Sequence, residues 1–245
     1  MAVRPLSSYE ELVEASGNDP FARWMVDPAG PVRGWALDDG VAWLRRTHSY
    51  ATTVTVLTSP RAAAAQLAEL LSVVPDITRV TLPFGSLELL PPELAARVVP
   101  RAGDDWEWMM TRTPPPAGRP AVVVPPDQLD DVRELLARAS PRHSTTVQDP
   151  VVAWWGIWDG GRLVACAAHT EDVPGVPSLA SVATDPAVRG RGLGAAVTTA
   201  AARAAFDAGS AVVTLGMYSD NDVARRMYHR LGFSCDHRWS SRRLR

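Results

Sequence analysis

The chain has 245 residues, 46% of them hydrophobic and 21% charged, with a formal net charge of -2. That much apolar surface buries a sizeable core and excludes wholesale disorder, while the near-balanced charge argues against a global polyanion binder, and so against nucleic acid as a partner. Two cysteines, Cys166 and Cys235, exclude a disulfide scaffold and a thiolate metal cluster and suit a cytoplasmic setting.

In chain order, residues 32–37 and 41–45, separated by Asp38-Asp39-Gly40, predict a β-hairpin. A strand follows at 53–57. Ser59-Pro60 then opens a helix to about Leu71, with proline in its favoured first turn. Val80 and Leu82 lie in a strand, 92–98 in a helix and 106–110 in a strand. The stretch Thr113-Pro114-Pro115-Pro116-Ala117-Gly118-Arg119-Pro120 holds four prolines in eight positions and reads as a stiff connector. It sets a domain boundary between 1–118 and 119–245. The charges differ across it: 10 Arg against 14 acids before, 15 Arg against 13 acids after.

Beyond the connector, 121–124 predicts a strand. Residues 127–139 predict an amphipathic helix carrying Leu129, Val132, Leu135 and Leu136, stopped by Pro141. Residues 151–158 and 163–169 form a second hairpin about Asp159-Gly160-Gly161. Then come a strand at 178–184, a Gly-rich turn, an Ala-rich helix at 192–208 and a strand at 211–217. A helix at 222–231 is closed by Gly232, and a last strand covers 233–239. Hairpin, strand, helix, strand, helix, strand is also the succession of residues 32–110, so the α/β chain reads as a degenerate structural repeat.

No apolar run approaches the roughly 20 residues that span a bilayer, so no membrane partner is expected. The start, Met1-Ala2-Val3-Arg4-Pro5, lacks a signal-peptide stretch. Every basic residue is Arg, which with the abundance of Ala, Val, Pro and Asp reads as a high-GC bacterial genome and not as a function. The arginines Arg238, Arg242, Arg243 and Arg245 read as a frayed, solvated tail.

Chemistry concentrates where Val182-Ala183-Thr184 ends a strand and Arg189-Gly190-Arg191-Gly192-Leu193-Gly194-Ala195 turns into a helix. Glycines leave backbone N–H groups uncovered, the helix dipole adds positive character, and Arg189 and Arg191 add formal charge. This composes a pyrophosphate cradle. A dinucleotide fold would space its glycines as G-x-G-x-x-G, and a phosphate-binding P-loop would need Gly-Lys-Ser/Thr; the chain has neither.

The pattern Arg189-x-x-Gly192-x-Gly194 instead resembles the acyl-CoA loop of the Gcn5-related N-acetyltransferases, the GNAT family. A second family block, N-x-x-A-x-x-x-Y-x-x-x-G-F, is met at Asn221, Ala224, Tyr228, Gly232 and Phe233. The resemblance covers roughly residues 120–240. It implies a mixed, mostly antiparallel sheet flanked by helices, with 1–118 a degenerate GNAT-like or accessory α/β domain. It further implies acyl transfer from acetyl-CoA, or another acyl-CoA, to an amine on a small molecule or peptide. Transfer would be by direct attack in a ternary complex, without metal. Residues 189–195 would hold the pyrophosphate and the edge at 182–184 the pantetheine. An N–H near Val182 would polarise the thioester carbonyl, Asn221 would lie by the cofactor, and Tyr228 would protonate the leaving thiolate.

The base is the weak point. The strand before the loop has no acid at the family position, and Glu171, with Asp172 and His169, lies just upstream. The nine tryptophans pack a core or line an acceptor cleft. Asp104, Asp105 and Glu107 form a solvated face or attract a cationic amine. The alternative to an enzyme is a non-catalytic acyl-CoA-binding module. A monomer and a homodimer are both compatible with the chain.

Overall fold

The computed structural model describes residues 3–46, 52–74, 77–99 and 104–245. They form two compact units. The first takes in the described residues up to Trp108, with Tyr218–Asp220 and Asp236–Arg245; the second is Met109–Met217 with Asn221–Cys235.

The first unit begins with β1 (Arg4–Leu6), α1 (Tyr9–Ala15) and α2 (Pro20–Met25). The helices are short and start on side-chain caps: Ser8 Oγ accepts the Glu11 N–H at 3.1 Å, and Asp19 Oδ1 accepts the Phe21 N–H at 2.8 Å. The expected hairpin follows as β2 (Gly34–Leu37) and β3 (Gly40–Arg46). Then come β4 (Thr52–Leu57), α3 (Pro60–Val73), β5 (Arg79–Pro83), α4 (Pro92–Arg97) and β6 (Asp105–Thr111). Sheet order is β1-β2-β3-β4-β5, with β4 and β5 parallel and the other pairs antiparallel. Leu67 and Leu70 of α3 pack on Val54, Val56, Val80 and Leu82.

In the second unit the order is β7 (Val122–Val123), α5 (Leu129–Ala139), β8 (Ala153–Asp159), β9 (Arg162–Val173), β10 (Val176–Thr184), α6 (Leu193–Asp207), β11 (Val213–Tyr218) and α7 (Asp222–Arg230), followed by β12 (Ser234–Arg243). Strands β11-β10-β9-β8-β7 are neighbours, with β10 and β11 parallel. Alternation along β9 sorts the helices onto two faces. Cys166 and Ala168 meet Val132, Leu135 and Leu136 of α5, while Ala165 and Ala167 meet Leu193, Ala196 and Val197 of α6. The Pro-rich connector lies against α6: the Pro115 carbonyl accepts from Arg203 Nη1 at 2.9 Å.

Each unit is completed by a strand from the other half of the chain. Residues Trp239–Arg243 of β12 pair antiparallel with β5, and Leu244 enters the first unit's core. The end of β6, Met109–Thr111, belongs to the second. The Arg-rich end is therefore not a frayed tail. Arg242 Nη2 binds Asp105 Oδ1 at 2.8 Å, and Arg238 lies 4.2 Å over the Phe84 ring with its Nε 3.5 Å from Glu107 Oε1. Asp105 and Glu107 are thereby arginine partners, not a solvated acidic face.

Most tryptophans take the core reading. Around Phe21 gather Trp43, Trp106, Trp108, His237 and Trp239, with ring centroids 4.7–6.2 Å from it. The repeat in element order holds: hairpin β2-β3, β4, α3, β5, α4, β6 against hairpin β8-β9, β10, α6, β11, α7, β12.

Candidate functional site

The site grows from the end of β10. Parallel pairing with β11 stops after Ser178–Thr214 and Leu179–Leu215, so beyond Leu179 that edge of β10 is open. Toward β9, Ala180 faces Ala168 but Ala183 faces Cys166. One extra residue sits on β10, a β-bulge that leaves Ser181 and Val182 outside the ladder. Ser181 adopts a positive φ of 49°.

The strand ends at Thr184, and the side chain of the next residue, Asp185, ties the turn together. Its carboxylate accepts the Ala187 N–H at 3.0 Å, Arg138 Nε at 2.9 Å and Arg162 Nη2 at 3.1 Å. These partners, the Ala187 N–H foremost and then Arg138, hold the Asp185 carboxyl below its usual range.

Gly190 and Gly192 take left-handed φ values of 80° and 73°, a conformation that suits glycine. Gly192 is the N-cap of α6 and offers no side chain to it. The N–H groups of Leu193, Gly194 and Ala195 thus lack intrahelical acceptors at the positive end of a 15-residue helix. A Cβ on Gly194 would come within 3.3 Å of Thr184 Oγ1 and 3.5 Å of Met227 Sδ, so the start of α6 sits tightly between β10 and α7. Helix α3 of the first unit starts differently, with Ser59 Oγ accepting the Ala62 N–H.

The predicted residues sort as follows. Residues Val182, Ala183, Thr184 and Arg189 to Ala195 are contiguous along the bulge, turn and helix start. Arg189 braces the turn: its guanidinium donates to the carbonyls of Thr184 at 3.4 Å and Ala139 at 3.1 Å. Arg191 is exposed, 3.9 Å from Asp159. Asn221 caps α7, its Oδ1 accepting the Ala224 N–H at 3.0 Å. Tyr228 is buried, edge-on to Phe233 at 5.9 Å, on the helix that touches Gly194 through Met227. Burial raises its phenol pKa and keeps it protonated at neutral pH.

The acids upstream are not brought to the bulge. Glu171 is exposed, and its Oε2 accepts the Gly175 N–H at 3.0 Å across the β9–β10 turn. Thr170 opposes Ser178, four residues before Val182, and Glu171 lies beyond that pair. His169 is buried, and burial lowers its pKa against an opposing pull from Glu171. Cys166 is buried, with its thiol pushed up to about 12, so it packs and does not react.

Sequence reading missed the bracing shell. Asp185-Pro186 carries a local turn signal that marks the Asp185 network. Ser181 and its partner Thr145 carry none, because their contact joins residues 36 apart in the chain.

Residues 112–233 match the model of the acetyltransferase (GNAT) family. Among solved structures, one described as a GNAT-family acetyltransferase from Novosphingobium aromaticivorans is 23% identical. It matches 95% of this chain and 96% of its own at a TM-score of 0.53. A GCN5-related N-acetyltransferase from Sphaerobacter thermophilus is 20% identical, with TM-score 0.62 over 95% of this chain and 88% of its own. One from Kribbella flavida is 21% identical, with TM-score 0.53 over 88% and 87%. No curated protein matches the chain. Residues 112–233 are a GNAT-family acetyltransferase domain, in the mixed, mostly antiparallel fold of these neighbours. Family and fold support an acyl-transfer function.

Proposed function

We propose that the protein is an acetyl-CoA-dependent N-acetyltransferase acting on a primary amine of a small molecule or peptide. The observation that carries this reading is the uncapped start of α6 directly after the open, bulged edge of β10. The free amides of Leu193, Gly194 and Ala195 suit a pyrophosphate. The unpaired edge from Ser181 to Thr184 suits the pantetheine amides as an added strand. The Val182 N–H polarises the thioester carbonyl, the amine nitrogen attacks the carbonyl carbon, and the C–S bond breaks. The Tyr228 hydroxyl gives its proton to the departing sulfur, and the surplus proton on the acylated nitrogen passes to water and restores the phenol. In the first unit, the Ser59-capped start of α3 stands where such a cradle would be, which supports a GNAT-like unit without acyl-CoA binding.

A second reading is a non-catalytic acyl-CoA-binding module. What favours it is Glu171, engaged by the Gly175 N–H beyond the Thr170–Ser178 pair, which leaves the base unassigned. The deciding experiment is CoA release from acetyl-CoA across aminoglycosides, polyamines, amino acids and peptides, with Tyr228→Phe alongside. Release with one acceptor class, reduced about 100-fold or more in Tyr228→Phe, supports the enzyme. Binding without release from any acceptor supports the module.

A further inference from the structure

The β10 bulge is held by side chains that the proposed chemistry does not use. Ser181 carries a Cβ yet sits at φ 49°, where a residue other than glycine is disfavoured. Its hydroxyl explains how the conformation persists. Ser181 Oγ accepts the Thr145 N–H at 2.9 Å and donates to the Thr145 carbonyl at 2.8 Å. Thr145 is buried, so this one hydroxyl satisfies both polar groups of a buried backbone residue. The Ser181 carbonyl faces the Cys166 thiol at 3.9 Å. The partner segment is itself locked, since Thr146 donates through its N–H and its hydroxyl to Asp149 Oδ2 at 2.7 and 2.8 Å. The bulge is therefore clamped to an ordered loop on one side and to β9 on the other.

We propose that Ser181 is a positioning residue for acyl transfer: by clamping Thr145 it fixes the Ser181–Val182 peptide so that the Val182 N–H points at the thioester carbonyl. The inference rests on the acyl-CoA reading of this site. Without the clamp, Ser181 relaxes toward an extended conformation, the peptide rotates, and the N–H leaves the carbonyl. The rest of the cradle, from Gly190 to Ala195, is untouched. Loss of the clamp therefore separates polarisation from binding.

The test uses Ser181→Gly, which tolerates positive φ but has no hydroxyl, and Ser181→Ala as a second variant. Acetyl-CoA labelled with carbon-13 at its carbonyl is bound to the full-length protein, and the C=O stretch is read by infrared difference spectroscopy. In the wild type the stretch falls below its value in free acetyl-CoA; in Ser181→Gly it returns toward that value, with the Kd for CoA within about threefold of wild type. Where an acceptor supports turnover, kcat falls about 100-fold with KM for acetyl-CoA little changed. A wild-type stretch equal to that of free acetyl-CoA, although acetyl-CoA binds, overturns the inference and leaves the binding site standing. So does a lowered stretch that Ser181→Gly retains, or a loss of CoA affinity matching the loss of kcat. Failure of the wild type to bind acetyl-CoA removes the acyl-CoA reading itself, and this inference with it.

Discussion

Single residues around the turn have separable jobs. Gly192 supplies a left-handed N-cap with no side chain over the α6 amides. Gly192→Ala should strain the turn by about 1 kcal/mol. We expect acyl-CoA affinity to fall about tenfold, measured by titration calorimetry; unchanged affinity would remove Gly192 from the cradle. Asp185 is read through pH. Its folded pKa is lowered, first by the Ala187 N–H and then by Arg138. Its contribution is present above the ordinary carboxylate pKa near 4 and is lost as pH falls through the lower folded value. In urea titrations between pH 7 and pH 3, Asp185→Asn should be less stable at pH 7 and lose less on acidification. Parallel pH profiles would contradict the assignment. Tyr228 has its pKa raised by burial, so its hydroxyl, the proposed proton donor, stays protonated past pH 10. An alkaline fall of kcat near pH 10 that vanishes in Tyr228→Phe would argue against that burial.

At the scale of elements, local signals and distant ones parted company. The Gly-rich turn, α6 and α7 were legible because glycine placement and helical spacing are local. So was the Asn221 cap, which both the family block and helix chemistry assign to one position. The helices α1 and α2 went unread although Ser8 and Glu11, and Asp19 before Pro20, mark their starts; at seven and six residues they show too little periodicity. Strands β9 and β10 run longer than the expected 163–169 and 178–184, and the β10 bulge is invisible in sequence because register is fixed by a partner strand. Strand β12 was expected to end near Trp239 and instead runs to Arg243. Its value to the first unit is testable. Trp239 is 1% exposed, 4.7 Å from Phe21 and 5.2 Å from His237 between ring centroids. Trp239→Ala should cost about 3–5 kcal/mol in chemical denaturation. A loss under about 1 kcal/mol would mean that β12 is dispensable there.

For the whole molecule, chain order and compact units do not coincide. A cut after residue 118 separates the two repeats of element order, yet Asp236–Arg245 belong with the first unit and Met109–Thr111 with the second. No local signal announces such an exchange, since either half's last strand would satisfy its own sheet equally by pattern. The consequence is that neither half is complete by sequence position. A chain ending at Cys235 should leave the first unit without five ladder pairs and without Leu244 in its core, and should lose a cooperative unfolding transition. Retention of every wild-type transition would refute the exchange.

The open end of β10 and the uncapped start of α6 together form the proposed acyl-CoA site. Titration calorimetry of acetyl-CoA into the full-length protein tests it most directly. We predict a saturable heat at one site per chain that weakens in Gly192→Ala and survives in Tyr228→Phe. No saturable heat in the wild type, or equal heat in all three proteins, would contradict it.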